Sequence, residues 1–221
     1  MTILAIDTSE THCSAALLTS DAREFSRMED IGRGHAERLL PMIEELFAEA
    51  GQAYADLTRV AVVTGPGTFT GLRIGLSVAR GLALSLNIPC VGLMSFPVIA
   101  AGVKADKEQL VHVVTKGRGG QVFYQAYIGE QSGLPLGLGV PVNVDVEEVD
   151  EAIAAKPGLV CGSGVALLQN FEGPSEGVAV DPVVLAKMAR NVDPQNHPPE
   201  PTYLRQADAI KAKAVFEIQA G

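Results

Sequence analysis

The chain of 221 residues has no tryptophan, and only 5% of its residues are aromatic. It is also poor in positive charge, with 17 Lys and Arg against 26 Asp and Glu, which gives a formal net charge of -9. A surface with this balance repels a phosphate backbone and lacks the sequence-independent attraction on which most nucleic-acid binders depend. If a nucleic acid is involved, we expect another chain to hold it.

Cysteine and histidine are scarce as well. The three cysteines lie far apart among apolar residues, and we expect free buried thiols: Cys13, Cys90, Cys161. The four histidines include no pair separated by four residues, the spacing that places two metal ligands on one helix face: His12, His35, His112, His197. The sequence therefore predicts neither a disulfide nor a metal site, and it gives no reason to expect a cofactor.

Long uninterrupted apolar runs are absent too. The most apolar stretches, residues 72–86 and 91–103, contain Gly, Ser, Arg or Pro and are shorter than the roughly 20 residues of a membrane span. The first residues reach Asp7 without the basic start and small-residue cleavage site of a signal peptide. We expect a cytoplasmic protein that does not enter a membrane.

Apolar residues nevertheless form 47% of the chain, enough for a large core, and the length suits two small α/β lobes. In the first half, the patterns predict strands over 2–7, 12–18, 23–28 and 59–64. An amphipathic helix between the third and fourth strands begins either at Pro41 or near His35 with a kink. A long helix from about Leu72 to Leu86 follows, then a short helix from Ser95, as its N-cap, to about Val103.

The second half is predicted with strands over 110–115, 121–128 and 159–161 and an irregular Gly- and Pro-rich stretch over 129–141. Helices are predicted from a capping box formed by Asp145 and Glu148, from Pro182 to Arg190, and over 206–218 after an extended connector at 193–201. The order strand, strand, strand, helix, strand, helix matches the ribonuclease-H-like fold of the actin-like ATPases. We expect an α/β protein with lobes over 1–103 and 104–203, each with a mixed sheet and flanking helices, and a final helix (204–221) returning to the first lobe.

Two segments of the first lobe are candidates for ligand chemistry. Asp7 at the end of the first strand, with Thr8 and Ser9, occupies a position where this fold class binds a nucleotide-linked metal, but such residues also form ordinary turns. The glycine-rich loop could offer N–H groups to a phosphate, or its glycines could simply allow close packing: Gly65, Pro66, Gly67, Thr68, Phe69, Thr70, Gly71. It does not match the Walker pattern, because Leu72 and Arg73 follow Gly71.

The long helix is apolar on all sides, and its own sheet can cover only one of them. Simple core burial and a protein interface both remain open at this point, and we favour the interface because the preceding helix is also rich in large apolar residues. The predicted interface comprises His35, Leu39, Met42, Ile43, Leu46, Phe47, Arg73, Ile74, Val78 and Leu82.

Three segments together resemble the TsaB family, formerly called YeaZ: residues 4–9 (LAIDTS), residues 35–43 (HAERLLPMI) and, above all, residues 65–75 (GPGTFTGLRIG). The resemblance is close over the first hundred residues and thins afterwards to Gly162-Ser163-Gly164 and to residues 201–205. Where the family commonly has Asp-Ala-Arg in the second lobe, this sequence has Lys116-Gly117-Arg118, so a role for the acid is not expected here.

The resemblance implies an actin-like, non-catalytic paralogue of TsaD, the enzyme that transfers a threonylcarbamoyl group to adenosine 37 of tRNA. It further implies pairing with TsaD through the two helices, help in recruiting the ATPase TsaE, a homodimer through the same surface when TsaD is absent, and only indirect contact with tRNA. The alternative is a small-molecule kinase or ATPase that uses Asp7 and the glycine-rich loop. A metallopeptidase would need ligands that this sequence lacks.

Overall fold

A computed structural model describes residues 1–171 and 179–204. The larger of its two sheets has the strand order β3-β2-β1-β4-β5. Strands β1 (Ile3–Asp7), β2 (His12–Leu18) and β3 (Glu24–Asp30) form an antiparallel meander, and β4 (Arg59–Val63) and β5 (Cys90–Leu93) continue the sheet parallel to β1. All five residues of β1 and of β4 are buried, as expected for strands covered on both faces.

Helices cover both faces of this sheet. On one face lie α1 (His35–Ala50) and α2 (Phe69–Leu86), whose buried side chains pack with Leu4, Ile6 and Val62. On the other face lie α3 (Ser95–Gly102) and α5 (Pro182–Asn191), packed with Ile3 and Ala5. The resulting three layers form the core of the first lobe.

The second sheet has the order β8-β7-β6-β9. Strands β6 (Leu110–Lys116), β7 (Gln121–Gln131) and β8 (Leu134–Asp145) form a second antiparallel meander, and β9 (Leu159–Cys161) runs parallel to β6. Helix α4 (Val146–Ala155) begins after Asp145, whose N–H donates to the Glu148 carboxylate at 3.4 Å. The two-lobed α/β architecture and the ribonuclease-H-like strand order are thus confirmed, as is the predicted capping box.

Several predicted details are wrong. Residues 134–145 form β8 instead of an irregular stretch. Ser95 is the first residue of α3 and not its N-cap, and Met94, which occupies the N-cap position, makes no side-chain capping hydrogen bond. Helix α2 begins three residues earlier than predicted. Of the two starts considered for α1, the structure has the one at His35, with Pro41 inside the helix. The predicted final helix (204–221) lies, beyond Leu204, outside the described residues.

Helix α5 also corrects the predicted lobe boundary. It contacts β1, β2 and β4 of the first sheet, although it was assigned to a second lobe over 104–203. The buried Arg59 at the start of β4 holds it there, because the guanidinium Nη1 donates to the backbone carbonyl oxygens of Ala189 and Val192 (3.0 Å to the latter). The connector after α5 also stays with the first lobe, since the His197 carbonyl accepts from Gly92 N–H and Thr202 N–H donates to the Thr64 carbonyl.

Among the described residues one helix, α2, is long and apolar enough to cross a membrane, with 18 residues at a mean hydropathy of 1.2. Core helices of globular proteins meet the same criterion. Of the 18 residues of α2, 33% are buried, and most of these pack in the core of the first lobe: Leu72, Leu76, Ala79, Ala83.

Candidate functional site

The glycine-rich loop between β4 and α2 lies directly on the turn that follows β1. Thr68 N–H donates to the Ser9 carbonyl and Thr8 Oγ1 donates to the Gly71 carbonyl, both at 2.7 Å. A Cβ atom at Gly71 would overlap the Thr8 carbonyl oxygen, and one at Gly67 would overlap that of Ser9. Of the two interpretations of this loop, the structure supports close packing, which only glycine permits at these positions.

Asp7 is buried at the end of β1, and its Oδ1 accepts from Ser9 N–H at 2.9 Å. Burial raises the pKa of this carboxyl group, and hydrogen bonds from Ser9 oppose the rise. The contact is that of an aspartate that shapes a tight turn. Asp7, Thr8, Ser9 and the glycine-rich loop therefore do meet in space, as one packed unit at the amino-terminal end of α2.

The α1 residues of the predicted interface are not accessible in this chain, so that part of the prediction is wrong. Its apolar members have between 0% and 4% of their surface exposed and belong to the core of this chain: Leu39, Met42, Ile43, Leu46, Phe47. His35 is buried with them, its Nε2 at 3.2 Å from the His12 carbonyl oxygen. The apolar residues of α1 form a single stripe along the helix, and the sheet of the same chain covers that stripe, so no second chain is needed to bury it.

Helix α2 has the apolar surplus that the sequence indicated. Beyond its buried face, Ile74, Val78 and Leu82 are half-buried at a spacing of four residues, and Leu84 has 84% of its surface exposed. Arg73 and Arg80 are exposed on the same helix, and neither forms an ion pair within residues 1–171 and 179–204. The outer surface of α2 thus combines unpaired cations with incompletely covered apolar side chains.

Aromatic side chains mark the amino-terminal end of that surface. The Arg73 guanidinium lies 3.6 Å from the centroid of the Phe69 ring, and the Phe69 and Tyr203 rings are 5.6 Å apart. Phe69 and Tyr203 are both more than 40% exposed. Tyrosine and arginine are among the residues most enriched at binding hot spots. Tyr203 was missed as part of this cluster, because its separation in sequence from α2 gave no signal.

A hydrogen bond also connects a turn of the first lobe with a turn of the second lobe. Ser163 Oγ, in the turn after β9, donates to Glu10 Oε1 at 2.7 Å and accepts from Lys116 N–H at 3.0 Å. Glu10 lies in the turn between β1 and β2, so this hydrogen bond spans 153 residues of sequence. In the sequence, Gly162-Ser163-Gly164 stood out only as part of the family resemblance, and nothing indicated Glu10 as its partner.

Within the described part of the chain, no group of three or more His, Cys, Asp or Glu side chains could hold a metal ion. His112 is buried between the Tyr124 hydroxyl (2.9 Å) and the Lys156 carbonyl oxygen (2.8 Å), and burial lowers its pKa. Both of its ring nitrogens are therefore used in hydrogen bonds within the second lobe.

Comparison with known proteins identifies the family. A family model described as TsaD, tRNA N6-adenosine threonylcarbamoyltransferase, matches residues 29–133. The tRNA threonylcarbamoyladenosine biosynthesis protein TsaB of Escherichia coli (strain K12) is 30% identical over 197 residues, which cover 88% of this chain and 85% of that protein. The TsaB of Buchnera aphidicola subsp. Schizaphis graminum (strain Sg) is 32% identical over 166 residues, which cover 73% of this chain and 78% of that protein.

Solved structures agree. YeaZ from Pseudomonas aeruginosa matches with a TM-score of 0.76 at 27% identity, over 92% of this chain and all of that one (100%). A further structure, of an uncharacterized protein with similarity to peptidase YEAZ from Pseudomonas aeruginosa, matches with a TM-score of 0.75 at 30% identity. The match covers 92% of this chain and 99% of that one. The fold and these relatives agree. The chain belongs to the TsaB family and has a role in the biosynthesis of tRNA threonylcarbamoyladenosine.

Proposed function

We propose that the chain is a non-catalytic subunit of the threonylcarbamoyladenosine-synthesising machinery, and that it pairs with a TsaD-type threonylcarbamoyltransferase through the outer surface of α2. The observation that carries the proposal is the exposed face of that helix. Leu84 is 84% exposed, and Arg73 and Arg80 have no carboxylate partner among the described residues.

This surface has the chemistry of a protein interface. Half-buried Ile74, Val78 and Leu82 offer apolar area that a second helix could cover completely, and the small residues Gly81 and Ser85 beside them allow a close approach. Two unpaired arginines favour a partner that offers acidic side chains at the rim. A helix of the transferase with an apolar stripe and flanking carboxylates would satisfy both requirements.

The packing of the glycine-rich loop supports a non-catalytic role. Thr68 N–H, at the positive end of α2, donates to the Ser9 carbonyl. The Thr8 carbonyl oxygen occupies the space next to Gly71, and the Thr8 hydroxyl group occupies the space next to Gly75. A phosphate bound at this helix end would have to displace those contacts. The competing role as a kinase or ATPase requires binding of ATP and magnesium by the isolated chain, which calorimetry would detect as a saturable heat that Asp7→Ala removes.

The family resemblance supports the remaining parts of the proposal. In the absence of the transferase, the same surface of α2 takes a second copy of this chain. The assembled heterodimer recruits the ATPase TsaE, and tRNA is held mainly by the partners, which agrees with the net charge of -9.

The decisive experiment compares two Val→Glu variants. We expect Val78→Glu, on α2, to abolish the heterodimer with TsaD in size-exclusion chromatography, because the buried carboxylate would lack a partner. Val140→Glu introduces the same charge at a 76% exposed position of the second lobe and should leave pairing intact. Circular dichroism establishes that both variants are folded, and Leu84→Glu supplies a second α2 variant at a fully accessible position.

Loss of pairing in both α2 variants, with pairing intact in Val140→Glu, would support α2 as the interface. If folded Val78→Glu and Leu84→Glu pair as well as the unmodified chain, α2 is not the interface. Ile43 is unsuitable for this test, because it is fully buried (0% exposed) and a charge there would unfold the chain.

A further inference from the structure

Helix α2 carries charge of one sign only. Arg73 and Arg80 are its only charged side chains, and both are exposed. Neither forms an ion pair with a carboxylate in residues 1–171 and 179–204. The two positions are about two helical turns apart, so both side chains leave the same side of the helix, with about 10 Å between them along its axis. The outer surface of α2 is therefore locally positive, although the chain as a whole has a net charge of -9.

The first of these two charges is held in place by aromatic rings. The Arg73 guanidinium lies 3.6 Å from the centroid of the Phe69 ring, which packs in turn on the Tyr203 ring at 5.6 Å. A planar guanidinium that is already stacked on a ring loses little freedom when it binds a carboxylate. The same stacking opposes its movement away from a like charge.

A second copy of the chain would meet this surface with the same charge. A two-fold dimer is isologous, so a patch of one copy packs on the identical patch of the other. Because α2 contains no Asp or Glu, pairing of two α2 helices brings arginines from both copies together without a carboxylate from either helix. On the neighbouring α1, the Glu45 carboxylate is already paired with Arg38 of its own chain. The Glu49 carboxylate is likewise paired with Arg27.

We propose that Arg73 and Arg80 make the α2 surface selective, because they bind carboxylates of an acidic partner helix and repel a second copy of this chain. The inference rests on the function proposed above, in which both pairings use α2. The apolar residues of α2 contribute affinity for either occupant, whereas the two arginines decide which occupant is preferred. The partner is thus a helix with an apolar stripe and with carboxylates spaced to reach both guanidinium groups.

Neutralising the two arginines should change the two pairings in opposite directions. We expect the double variant Arg73→Gln/Arg80→Gln to raise the Kd for the transferase about three- to tenfold, which is the range for two exposed charge contacts. The same variant should lower the Kd of self-association by a similar factor, because it removes the repulsion between copies. A role of these arginines in stability alone would not produce changes of opposite sign.

The experiment uses the full chain and its TsaD-type transferase. Sedimentation velocity measures the Kd of self-association, and calorimetry measures the Kd for the transferase. The matched control is Arg33→Gln/Arg118→Gln, at exposed positions outside α2, which makes the same change in net charge. This control should alter neither Kd by more than about twofold, because charges outside the interface are largely screened.

Ionic strength provides a second readout. When salt is raised from about 50 to about 500 mM, the Kd for the transferase should rise and the Kd of self-association should fall, since screening weakens attraction and repulsion alike. Both dependences should be smaller in the double variant than in the control variant. If the unmodified chain does not self-associate, a dimer that appears only in the double variant is the expected result.

The selectivity is refuted if the double variant changes neither Kd or weakens both pairings. Weaker self-association would mean that α1 carboxylates of the second copy bind the arginines. Val78→Glu separates this result from the function proposed above. If Val78→Glu abolishes transferase binding and the double variant leaves both constants unchanged, α2 is the interface and only the selectivity fails. If folded Val78→Glu pairs normally, α2 is not the interface and both proposals fail.

Discussion

The two lobes are built on one plan and differ most in the segment after the fourth strand. In the first lobe a three-stranded meander, α1 and β4 follow one another, and in the second lobe the corresponding elements are β6 to β8, α4 and β9. After β4 the chain enters the glycine-rich loop and the 18 residues of α2. After β9 the described residues contain a short 3-10 turn over Val165–Leu167 and then the 10 residues of α5, which pack on the first sheet. Within the described residues, the proposed partner surface therefore belongs to an element that has no counterpart of equal length on the second sheet.

The edges of the two sheets differ as well. Strand β3 alternates half-buried and exposed residues and carries charges that contact α1. Strand β8 carries no charged residue between Leu134 and Val144 and exposes Leu136, Leu138 and Val140. Charged side chains on an exposed edge prevent pairing with another chain, so the first lobe protects its edge more fully than the second.

The largest expected effect comes from the contact under α2. Gly71→Ala should lower the free energy of unfolding by at least about 4 kcal/mol, because the new methyl group cannot avoid the Thr8 carbonyl oxygen unless α2 leaves the sheet. Gly81→Ala, in open space on the same helix, should instead stabilise the protein by about 0.5–1 kcal/mol. Urea denaturation measures both, and equal effects would contradict the packing role assigned to the loop.

A smaller effect distinguishes the two faces of α1. Ile43→Ala should destabilise the first lobe by about 3 kcal/mol, because it leaves a cavity in the core. Leu40→Ala, at a position that is 45% exposed, should change stability by less than about 0.5 kcal/mol. Denaturant midpoints provide the comparison, and a neutral Ile43→Ala would show that this stripe is not buried within one chain.

His112 should make the second lobe sensitive to acid. Its pKa in the folded protein lies below the ordinary 6.5, so between those two values the unfolded chain binds more protons and stability falls as the pH is lowered. The slope is at most about 1.4 kcal/mol per pH unit. Thermal unfolding from pH 5 to 7 should show a weaker slope for His112→Gln than for the unmodified chain, with His197→Gln as the control. Burial raises the pKa of Glu10 to about 7, so the contribution of Glu10 to the pH dependence has the opposite sign and is common to all three proteins.

The smallest expected effect concerns the charged cluster of β3 and α1. Arg38 donates to Glu29 and Glu45, and these hydrogen bonds lower the pKa values of both carboxyl groups. Arg38→Gln should return those pKa values to the ordinary range in an NMR titration. Because the lowered values stabilise the fold only above the ordinary pKa, the loss should appear near neutral pH and shrink in high salt. Unchanged carboxyl pKa values would show that the cluster does not persist in solution.

Much of the first lobe was predictable because its signals are local. Buried strands such as β1 and β4 read as apolar runs, and the helical spacing of the α1 core residues was clear. Which of those residues face the sheet of the same chain is a tertiary fact, and for that reason Ile43 was wrongly assigned to an interface. An interface at the half-buried Ile74, Val78 and Leu82 stays a prediction.

The second lobe was harder to predict, and β8 shows why. Its glycines and prolines are typical of loops, yet Gln131 pairs with Leu134 across a two-residue turn in which Ser132 and Gly133 both have positive φ. Such a turn joins two strands and marks a hairpin, so Ser132-Gly133 was a signal that the composition obscured. The bond between Glu10 and Ser163 had no comparable local signal, because only the assembled lobes bring these residues together.

The guanidinium of Arg59 has a consequence for how the molecule is assembled. It ties the carboxyl-terminal end of α5 to the start of β4, so a helix made late in the sequence completes the layer over strands made early. A fragment that stops at residue 103 would leave Ile3 and Ala5 without that cover and a buried cation without its carbonyl acceptors. The lobes are therefore architectural divisions of one cooperative unit, and the first is completed only after the second has been synthesised.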